Sequence, residues 1–439
     1  METFIVTGAQ KEAGVHRGFR RSLEHIASDL DARIIVLPMP AHRKPYDEEG
    51  ELSRELFDFD VVTAPFGLNK KIRTSDYQVL PQQIDPVTGL ARFTQTDVST
   101  IFSSPKQRLK VVPNSNVSLP KVLLTTGAIT QPQYQNNRIG RIARQDHVLG
   151  AVIVETEDDR RYHFRHVRAN SRGSFVDLGV RYDGDQKRPA GIEAMVLGDL
   201  HPGETDPLVR EANFAMIREY APRRVVLHDT FNGSSVNPHE ARMWARRAMV
   251  HRGSTPTLVE ELELVHGEID AHAQSGTGEV IVVKSNHDEF LDRYLEDGRF
   301  MQDPQNAYLA AKLFVAKVDG ADPLVEGLAL AGPIPHTVRF LKRDEDYKVR
   351  GWQLGSHGDR GPNGGKGSIR SKETSEGRSI TGHTHTPEIL RDTIVVGTST
   401  YLKLPYTVGP SSWMNTNALL YDTGTAQLVN IIDGAWRAT

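Results

Sequence analysis

The 439-residue sequence contains no cysteine, which excludes disulfide bonds, thiolate metal sites and cysteine nucleophiles. It has no apolar run long enough to span a membrane, and its first residues lack the basic and apolar segments of a signal peptide, so we expect a cytoplasmic protein. The formal net charge of −3 gives no general attraction to nucleic acid. A surface that binds nucleic acid must therefore be local.

The chain is long enough for two or three domains, and its composition is ordinary for a soluble globular protein. An apolar strand at residues 3–8, a helical pattern from Arg17 to Leu30 and a second strand at 34–37 predict a β-α-β opening. We divide the chain into an N-terminal α/β region, residues 1–188, and a C-terminal region, residues 189–439.

The first region carries the densest basic stretches of the chain. Arg138, Arg141 and Arg144 are spaced three apart, and residues 160–172 interleave five arginines with aromatic and histidine side chains. Arginines beside aromatic rings can hold phosphates and stack on bases, which favours nucleic-acid binding, with Arg165 and Arg168 as candidate contacts. The alternative is a solvated strand face whose charge the neighbouring acidic residues balance.

Strand and helix patterns alternate after residue 189. Strands are predicted at 192–197, 224–228, 279–283, 350–354, 378–381, 393–396, 417–421 and 428–432. A capping residue followed by proline predicts three helix starts, at Asn237-Pro238, Thr255-Pro256 and Asp303-Pro304. The second of these helices places Leu258, Leu262, Val265 and Ile269 on one buried face. Residues 356–378 are predicted to form a long flexible loop, which includes the basic Lys366 and Arg370.

Five clusters of polar side chains follow five of these predicted strands. They are Gly198-Asp199-Leu200-His201, His228-Asp229, Ser285-Asn286-His287-Asp288, Gly355-Ser356-His357-Gly358-Asp359 and Gly382-His383-Thr384-His385. The carboxyl ends of strands in open α/β sheets are where sites are built. Without cysteine, a metal must be held by nitrogen and oxygen, which favours Mn, Mg, Fe or Zn.

The order of these clusters resembles the calcineurin-like metallophosphoesterase superfamily over about residues 190 to 439. The resemblance implies an α/β sandwich of two sheets with flanking helices, preceded here by the smaller α/β region. It implies two divalent ions, for which we expect Mn²⁺, with Mg²⁺, Fe or Zn as alternatives. The implied ligands are Asp199, His201 and His385 for the first ion, Asn286, His357 and His383 for the second, and Asp229 between them.

The same resemblance gives His287 a catalytic role at the substrate, with Asp288 orienting it. The sequence departs from the family pattern at two glycines, where His228 precedes the bridging aspartate and Ser285 precedes Asn286. Both departures keep the ligand, so they leave metal binding intact and loosen only the subfamily. Hydrolysis would proceed by in-line attack of a metal-bridging hydroxide.

Three functions follow from this resemblance, in order of preference. The first is a DNA nuclease similar to the Mre11-like branch and, more loosely, to the early DNases of T5-like phages, which would place it in the host cytoplasm. The second is a phosphomonoesterase or small-nucleotide phosphodiesterase, and the third is a binding scaffold without catalysis. Lys366 and Arg370 are further candidate contacts for the DNA substrate. Residues 1–188 could bind DNA, support a homo-oligomer or contact a host or phage protein.

Overall fold

The structure, a computed structural model, describes residues 1–40, 50–81, 83–115, 120–239, 243, 256–404 and 407–438. In these ranges the protein is mixed α/β, with four sheets and eight α-helices. The helices are α1 (Arg17–Asp29), α2 (Arg138–Gln145), α3 (Pro207–Tyr220), α4 (Leu258–Ala273), α5 (Glu289–Glu296), α6 (Ala307–Val318), α7 (Pro323–Ala331) and α8 (Ile369–Glu376). None of the helices in the described ranges has the length and apolar character needed to cross a membrane.

Strands are numbered in chain order. A five-stranded sheet, in the order β3-β2-β1-β8-β9, comprises Glu2–Gln10 (β1), Ala32–Met39 (β2), Asp60–Val61 (β3), Gly150–Thr156 (β8) and Tyr162–Arg168 (β9). A small antiparallel sheet comprises Phe175–Asp177 (β10), Val180–Asp183 (β11) and Gln186–Pro189 (β12). A six-stranded sheet, in the order β16-β15-β14-β13-β22-β23, comprises Ile192–Val196 (β13), Arg224–Leu227 (β14), Glu279–Val282 (β15), Val338–Phe340 (β16), Thr416–Tyr421 (β22) and Ala426–Asn430 (β23).

The largest sheet has nine strands in the order β17-β18-β19-β21-β20-β6-β7-β5-β4. They are Ile72–Gln78 (β4), Ser99–Ser103 (β5), Arg108–Val112 (β6), Lys121–Thr125 (β7), Lys348–Val349 (β17), Trp352–Gln353 (β18), Ser379–Thr381 (β19), Glu388–Leu390 (β20) and Thr393–Val395 (β21). Strand β20 pairs antiparallel with β6, with Ile389 opposite Leu109. Strands from before and after residue 188 share this sheet. The division of the chain at residue 188 into two regions with different roles stays a prediction.

The strands pack in layers because their apolar side chains alternate between two faces. In β13, Ala194 and Val196 join a core shared with the five- and nine-stranded sheets, whereas Met195, and Leu197 just after the strand, face a second core with α3 to α7. The side chains of β1 alternate in the same way: Phe4 and Val6 join the shared core, and Ile5 packs in a third cluster with α1. The shared core therefore lies between the sheets, and helices cover the outer face of the six-stranded sheet.

The predicted β-α-β opening is confirmed by β1, α1 and β2, and the two strands pair in parallel. The buried face of α4 is also confirmed, because all four predicted positions are buried. Its predicted start is wrong, since Thr257 caps the helix and forms a capping box with Glu260. The start at Asp303-Pro304 is also wrong, because α6 begins at Ala307. The start at Asn237-Pro238 concerns a segment mostly outside the described residues.

The long flexible loop predicted at 356–378 is wrong in its second half. Residues Ile369–Glu376 form α8, whose N-terminus is capped by reciprocal hydrogen bonds between Ser368 and Ser371. The Lys372 side chain is buried, lies 2.9 Å from Glu376 and donates to Ser356 Oγ. The basic residues here were predicted to lie in a mobile loop. Lys372 instead anchors helix α8 against the segment that contains His357.

Candidate metal centre

The five polar clusters meet where two sheets present the carboxyl ends of parallel strands. Strands β13, β14 and β15 are parallel neighbours in the six-stranded sheet, and β18 and β19 are parallel neighbours in the nine-stranded sheet. Two hydrogen bonds join the loops that follow them. The His383 N–H donates to Asp199 Oδ2 at 2.7 Å, and the Gly382 N–H donates to the His357 carbonyl at 2.8 Å. The predicted convergence of these clusters is therefore present.

Gly382 allows this convergence because it has no side chain. A Cβ atom placed on Gly382 would lie 2.1 Å from Asp199 Oδ1, which is far inside van der Waals contact. The carboxylate of Asp199 thus lies directly against the backbone of the loop that carries His383 and His385. Glycine is required here for close approach between two loops.

The side-chain atoms of four clusters lie at the spacing of ligands around a shared ion. Asp229 Oδ2 is 3.3 Å from His201 Nε2 and 3.3 Å from His357 Nε2. His385 Nε2 lies 3.0 Å from His201 Nε2 and 3.3 Å from Asp199 Oδ2. Two atoms bound about 2.1 Å from one ion are about 3.0–3.4 Å apart at octahedral or tetrahedral angles. Asp229 therefore has the position of a bridge between two groups of imidazoles.

Several of these atoms are buried without a hydrogen-bond partner in the described part of the chain. They are Asp199 Oδ1, Asp229 Oδ1, Asn286 Oδ1, His357 Nε2 and His385 Nδ1. Buried polar atoms are nearly always paired, and an unpaired carboxylate oxygen is especially costly. A concentration of such atoms at one point fits a site that binds cations, so the residues present fit divalent metal ions.

The electrostatics of the centre also fit a cation. Burial, reinforced by the charge of Asp229, raises the pKa of Asp199 to about 7. Burial also opposes ionisation of Asp229, but His357 and His201 outweigh it and lower the pKa of Asp229 well below its usual range. Burial opposes protonation of His201 and His357, yet the Asp229 carboxylate raises the pKa of His201 to about 8 and that of His357 to about 9. In the absence of metal, protons on imidazoles balance the buried carboxylates.

These pKa values predict that metal binding releases protons. At pH 7 both His201 and His357 hold a proton in the metal-free protein because each pKa is above 7. A histidine ligand must be neutral imidazole, and Asp199, whose pKa is about 7, is also partly protonated, so binding should release about two to three protons. The apparent affinity should fall as the pH is lowered from 8 to 6. Calorimetric titration in buffers of different ionisation enthalpy measures the number released. Release of no protons at pH 7 would contradict the assignment of these two ligands.

The backbone is strained at the same residues. His201, Asp229, His383 and His385 adopt φ values of 42°, 49°, 79° and 56°, in the left-handed region. Residues other than glycine reach that region at a cost of about 1–3 kcal/mol each, and such positions cluster at functional sites. The tight loops after β13, β14 and β19 therefore hold these side chains inward at the expense of stability.

Two predicted ligands lie at the edge of this arrangement. The ring of His383 lies 5.3 Å from that of His357, edge to face, and burial lowers the pKa of His383 to about 4. Asn286 contributes an unpaired buried amide oxygen. Among the described residues two groups could hold an ion: one consists of Asp199, His201, Asp229 and His385, and the other of Asp199, His228 and His357. The roles of Asn286 and His383 as ligands of a second ion stay predictions.

His287 lies beside these predicted ligands, and one hydrogen bond holds its ring. Its Nδ1–H donates to the Asn232 carbonyl at 2.8 Å, and its ring is 4.8 Å from the ring of His201. Because Nδ1 carries the proton, Nε2 is the nitrogen left for other contacts. Burial lowers the pKa of His287, so the free imidazole is neutral at pH 7.

The predicted role of Asp288 as the group that orients His287 is wrong. Asp288 Oδ2 accepts the Ser285 N–H at 2.7 Å, and Oδ1 accepts the Phe231 N–H at 3.3 Å. Burial raises the pKa of Asp288 to about 6. Asp288 therefore braces the loops after β14 and β15, while the Asn232 carbonyl orients His287.

Asn232 fixes the tautomers of two histidines at once. Its side-chain oxygen lies 3.0 Å from His201 Nδ1, and its carbonyl lies 2.8 Å from His287 Nδ1. The Ser234 and Ser235 N–H groups that follow donate to the buried carboxylate of Glu261, at 2.8 and 2.9 Å. Asn232 is not among the residues predicted from the sequence, although its position three residues after Asp229 indicates a neighbour of the centre.

A closed ring of buried hydrogen bonds fixes the start of the Asp199 loop. The Gly198 N–H donates to Asn417 Oδ1 at 3.0 Å, and Asn417 Nδ2 donates to Asn213 Oδ1 at 2.7 Å. Asn213 Nδ2 donates to Ser399 Oγ at 3.1 Å, and that hydroxyl donates to the Gly198 carbonyl at 3.0 Å. Elements far apart in sequence thus position Asp199 before any ion binds.

The candidate substrate contacts have different outcomes. The prediction that Arg165 contacts substrate is wrong, because its guanidinium is only 3% exposed and is paired with Asp177 at 2.6 Å and Glu155 at 2.7 Å. Arg168 is 37% exposed but forms an ion pair with Asp392. The aromatic residues interleaved with these arginines, such as Tyr162, are buried in β9. Residues 162–167 of this stretch are therefore interior, whereas Arg160, Arg161 and Arg172 are exposed, so nucleic-acid binding by its two ends stays a prediction.

Lys366 and Arg370 are exposed, as a substrate contact requires. Lys366 lies in the segment between His357 and α8, and Arg370 in the first turn of α8 is 3.5 Å from Asp85. Their role in binding substrate stays a prediction.

Comparisons with known proteins give one informative relative. The chain matches no known protein-family profile. It is 25% identical to Protein A1 of Escherichia phage T5 over 462 aligned residues, which cover 99% of this chain and 83% of that protein. A solved structure aligns with 54% of this chain and 98% of its own at 15% identity, but its TM-score of 0.27 is too low to indicate a shared fold. The chain is thus similar along nearly its whole length to a phage protein.

Proposed function

We propose that this protein is a metal-dependent phosphodiesterase of the calcineurin-like metallophosphoesterase type, and that its substrate is DNA. The observation that carries the proposal is the position of Asp229 Oδ2, 3.3 Å from imidazole nitrogens of both His201 and His357. A carboxylate oxygen shared between two groups of ligands is what a pair of ions requires. The similarity to a phage protein supports a role inside an infected cell.

We assign the following roles to the residues of the centre. Asp199, His201 and His385 would hold one ion and Asn286, His357 and His383 the other, with Asp229 contacting both. When bound, the two ions, for which we expect Mn²⁺, supply an acidified water molecule and offset negative charge on the phosphoryl oxygens. His287 Nε2 faces the reaction as a neutral group, and approach of an anionic phosphate favours its protonated form. The protonated ring can then donate to the departing oxygen.

A paired activity assay tests the proposal. Plasmid DNA, linear DNA, an aryl phosphate and a bis-aryl phosphate would each be incubated with Mn²⁺, with Mg²⁺ and with a chelator. We expect metal-dependent cleavage of DNA and of the bis-aryl phosphate, and nicking of closed plasmid would show endonuclease action. Turnover of the monoester alone would favour a phosphomonoesterase. Metal binding without any turnover would favour the binding scaffold.

The support for DNA as substrate comes from an exposed basic face on α2. Arg138, Arg141 and Arg144 are exposed, and none forms an ion pair with a carboxylate of the described residues. Because residues three apart lie on one side of a helix, these cations form one stripe. We call these three residues the α2 arginine stripe. A row of uncompensated arginines suits a phosphate backbone.

Contacts connect the α2 arginine stripe with the centre. Asp146, at the end of α2, lies 3.9 Å from Arg391, which is also paired with Glu373 of α8. From α8, Lys372 donates to Ser356, the neighbour of His357. A DNA strand along this side would pass from α2 over α8 toward the metal ligands.

Neutralising the α2 arginine stripe should weaken DNA binding without changing the chemistry. In the triple variant Arg138→Gln, Arg141→Gln and Arg144→Gln, the slope of log K against log salt should become shallower by about 0.9 for each lost phosphate contact. DNA affinity at moderate salt should fall about 10-fold or more, whereas turnover of the bis-aryl phosphate should stay unchanged. Fluorescence anisotropy in chelator, where no cleavage occurs, measures the affinity.

The matched control removes the same charge elsewhere. Arg21, Arg92 and Arg188 are also exposed and have no carboxylate partner in the described ranges, so their replacement by glutamine is the control triple variant. An equal loss of DNA affinity in both triple variants would show a nonspecific charge effect and would contradict a role for the stripe.

A further inference from the structure

His228 is an unexpected neighbour of the metal centre. The residue before the bridging aspartate is usually glycine in the family pattern, yet here an imidazole is buried at that position with 0% of its surface exposed. Its Nδ1 lies 3.4 Å from Nδ1 of His357, and the two ring centroids are 5.5 Å apart. His228 thus contacts the side of the His357 ring that faces away from Asp229.

The contact determines which nitrogen of His357 is free for an ion. Nε2 of His357 lies 3.3 Å from Asp229 Oδ2 and is the nitrogen that points to the centre. It can bind a cation only when the ring proton is on Nδ1. A buried Nδ1–H needs an acceptor, and Nδ1 of His228 is the atom in reach. His228 then carries its own proton on Nε2.

His228 is not explained by its contribution to stability. Its Nε2 is buried and has no hydrogen-bond partner among the residues described. Burying an unpaired polar atom costs free energy, and glycine at this position would avoid that cost. The arrangement therefore favours a role in the function of the centre.

We propose that His228 is a positioning residue that fixes the tautomer and ring orientation of His357, and so sets the affinity of the ion that His357 holds. The inference rests on the proposed pair of ions but not on phosphodiesterase activity. Residues that hold a ligating histidine in place typically change metal affinity by about 10–100-fold when they are replaced.

Two substitutions separate the hydrogen bond from the space that the ring fills. His228→Leu keeps most of the volume and removes the acceptor. His228→Asn places an amide oxygen near the position of Nδ1, where it can accept the His357 Nδ1–H. Titration of the metal-free proteins with Mn²⁺, followed by calorimetry and by the electron paramagnetic resonance signal of free Mn²⁺, gives the number of bound ions and their affinities and requires no substrate.

The wild-type protein should bind two Mn²⁺ ions. In His228→Leu the affinity for one ion should fall about 10–100-fold with the other unchanged, and His228→Asn should recover most of the loss. Circular dichroism and thermal unfolding would show that both variants are folded. Unchanged affinity in the leucine variant, or an equal loss in both variants, would overturn the proposal. A single Mn²⁺ in the wild-type protein would overturn both this inference and the two-ion centre, whereas failure to cleave DNA would leave this result intact.

Discussion

The Asp229→Asn protein should lose metal-dependent phosphodiester cleavage by about 10³-fold or more. Asp229 Oδ2 is the oxygen within 3.3 Å of imidazoles on both sides of the centre, and both carboxylate oxygens are buried. The amide removes the negative charge that would hold two cations together. Each tenfold loss of rate corresponds to about 1.4 kcal/mol of transition-state stabilisation, and loss of a bridging charge removes several kcal/mol.

Mn²⁺ titration and single-turnover cleavage of labelled DNA measure this loss. The asparagine variant should bind at most one ion with unchanged secondary structure, because the amide nearly matches the carboxylate in size. Asp185→Asn makes the same chemical change at an exposed residue and should behave as wild type. If Asp229→Asn still bound two ions with wild-type affinity, Asp229 would not be a bridge.

Replacing His287 by alanine should slow DNA cleavage by about 10²–10⁴-fold while both ions remain bound. The His287 Nδ1–H donates to the Asn232 carbonyl, and under the proposed mechanism the ring contributes a proton through Nε2 rather than a ligand. The loss should depend on the leaving group. A DNA alkoxide needs a proton as it departs, whereas a nitrophenolate departs readily without one, so the loss on bis(nitrophenyl) phosphate should be much smaller.

The comparison of the two substrates identifies the role of His287. An equal loss on both would indicate that the ring acts on the phosphoryl oxygens or on folding rather than on the leaving group. Loss of an ion from the alanine variant would assign His287 to the ligands. His336→Ala removes an exposed histidine from the same region of the chain and serves as the control for substitution itself.

The polar clusters of the candidate centre could be predicted from sequence because each cluster is local. A short apolar strand followed at once by Asp, Asn or His is visible in the sequence, and parallel strands place such clusters at one edge. The assignment of Asp199, His201 and His385 as ligands came from the family that these clusters resemble, and the structure brings the three side chains within 3.0–3.3 Å of their neighbours. Helix α4 was predictable for a similar reason, since its apolar period lies within a few turns.

Residues that act through partners distant in sequence could not be predicted. Asn417 supports Gly198 across more than 200 positions, and no local pattern indicates that pairing. Arg165 was misassigned because a charged strand has the same sequence pattern whether its partners are phosphates or buried carboxylates. The burial of β9 depends on β23 and on the sheets around it, which sequence alone does not position. The predicted role of Asp288 is wrong for a similar reason. Asp288 follows His287 in the sequence, but its carboxylate points to the backbone of Ser285 and Phe231.

The pairing of β20 with β6 has a consequence for how this protein could evolve. The two strands are about 280 positions apart, and Arg108 on β6 donates to the Ile389 carbonyl at 3.0 Å and lies 3.2 Å from Glu388. A genetic crossover near residue 188 that joined the second half to a foreign first half would leave β20 with unpaired backbone groups at an open edge. Such hybrids would be selected against, so the two halves should be inherited together. Substitutions in β6 should be accompanied by compensating substitutions in β20.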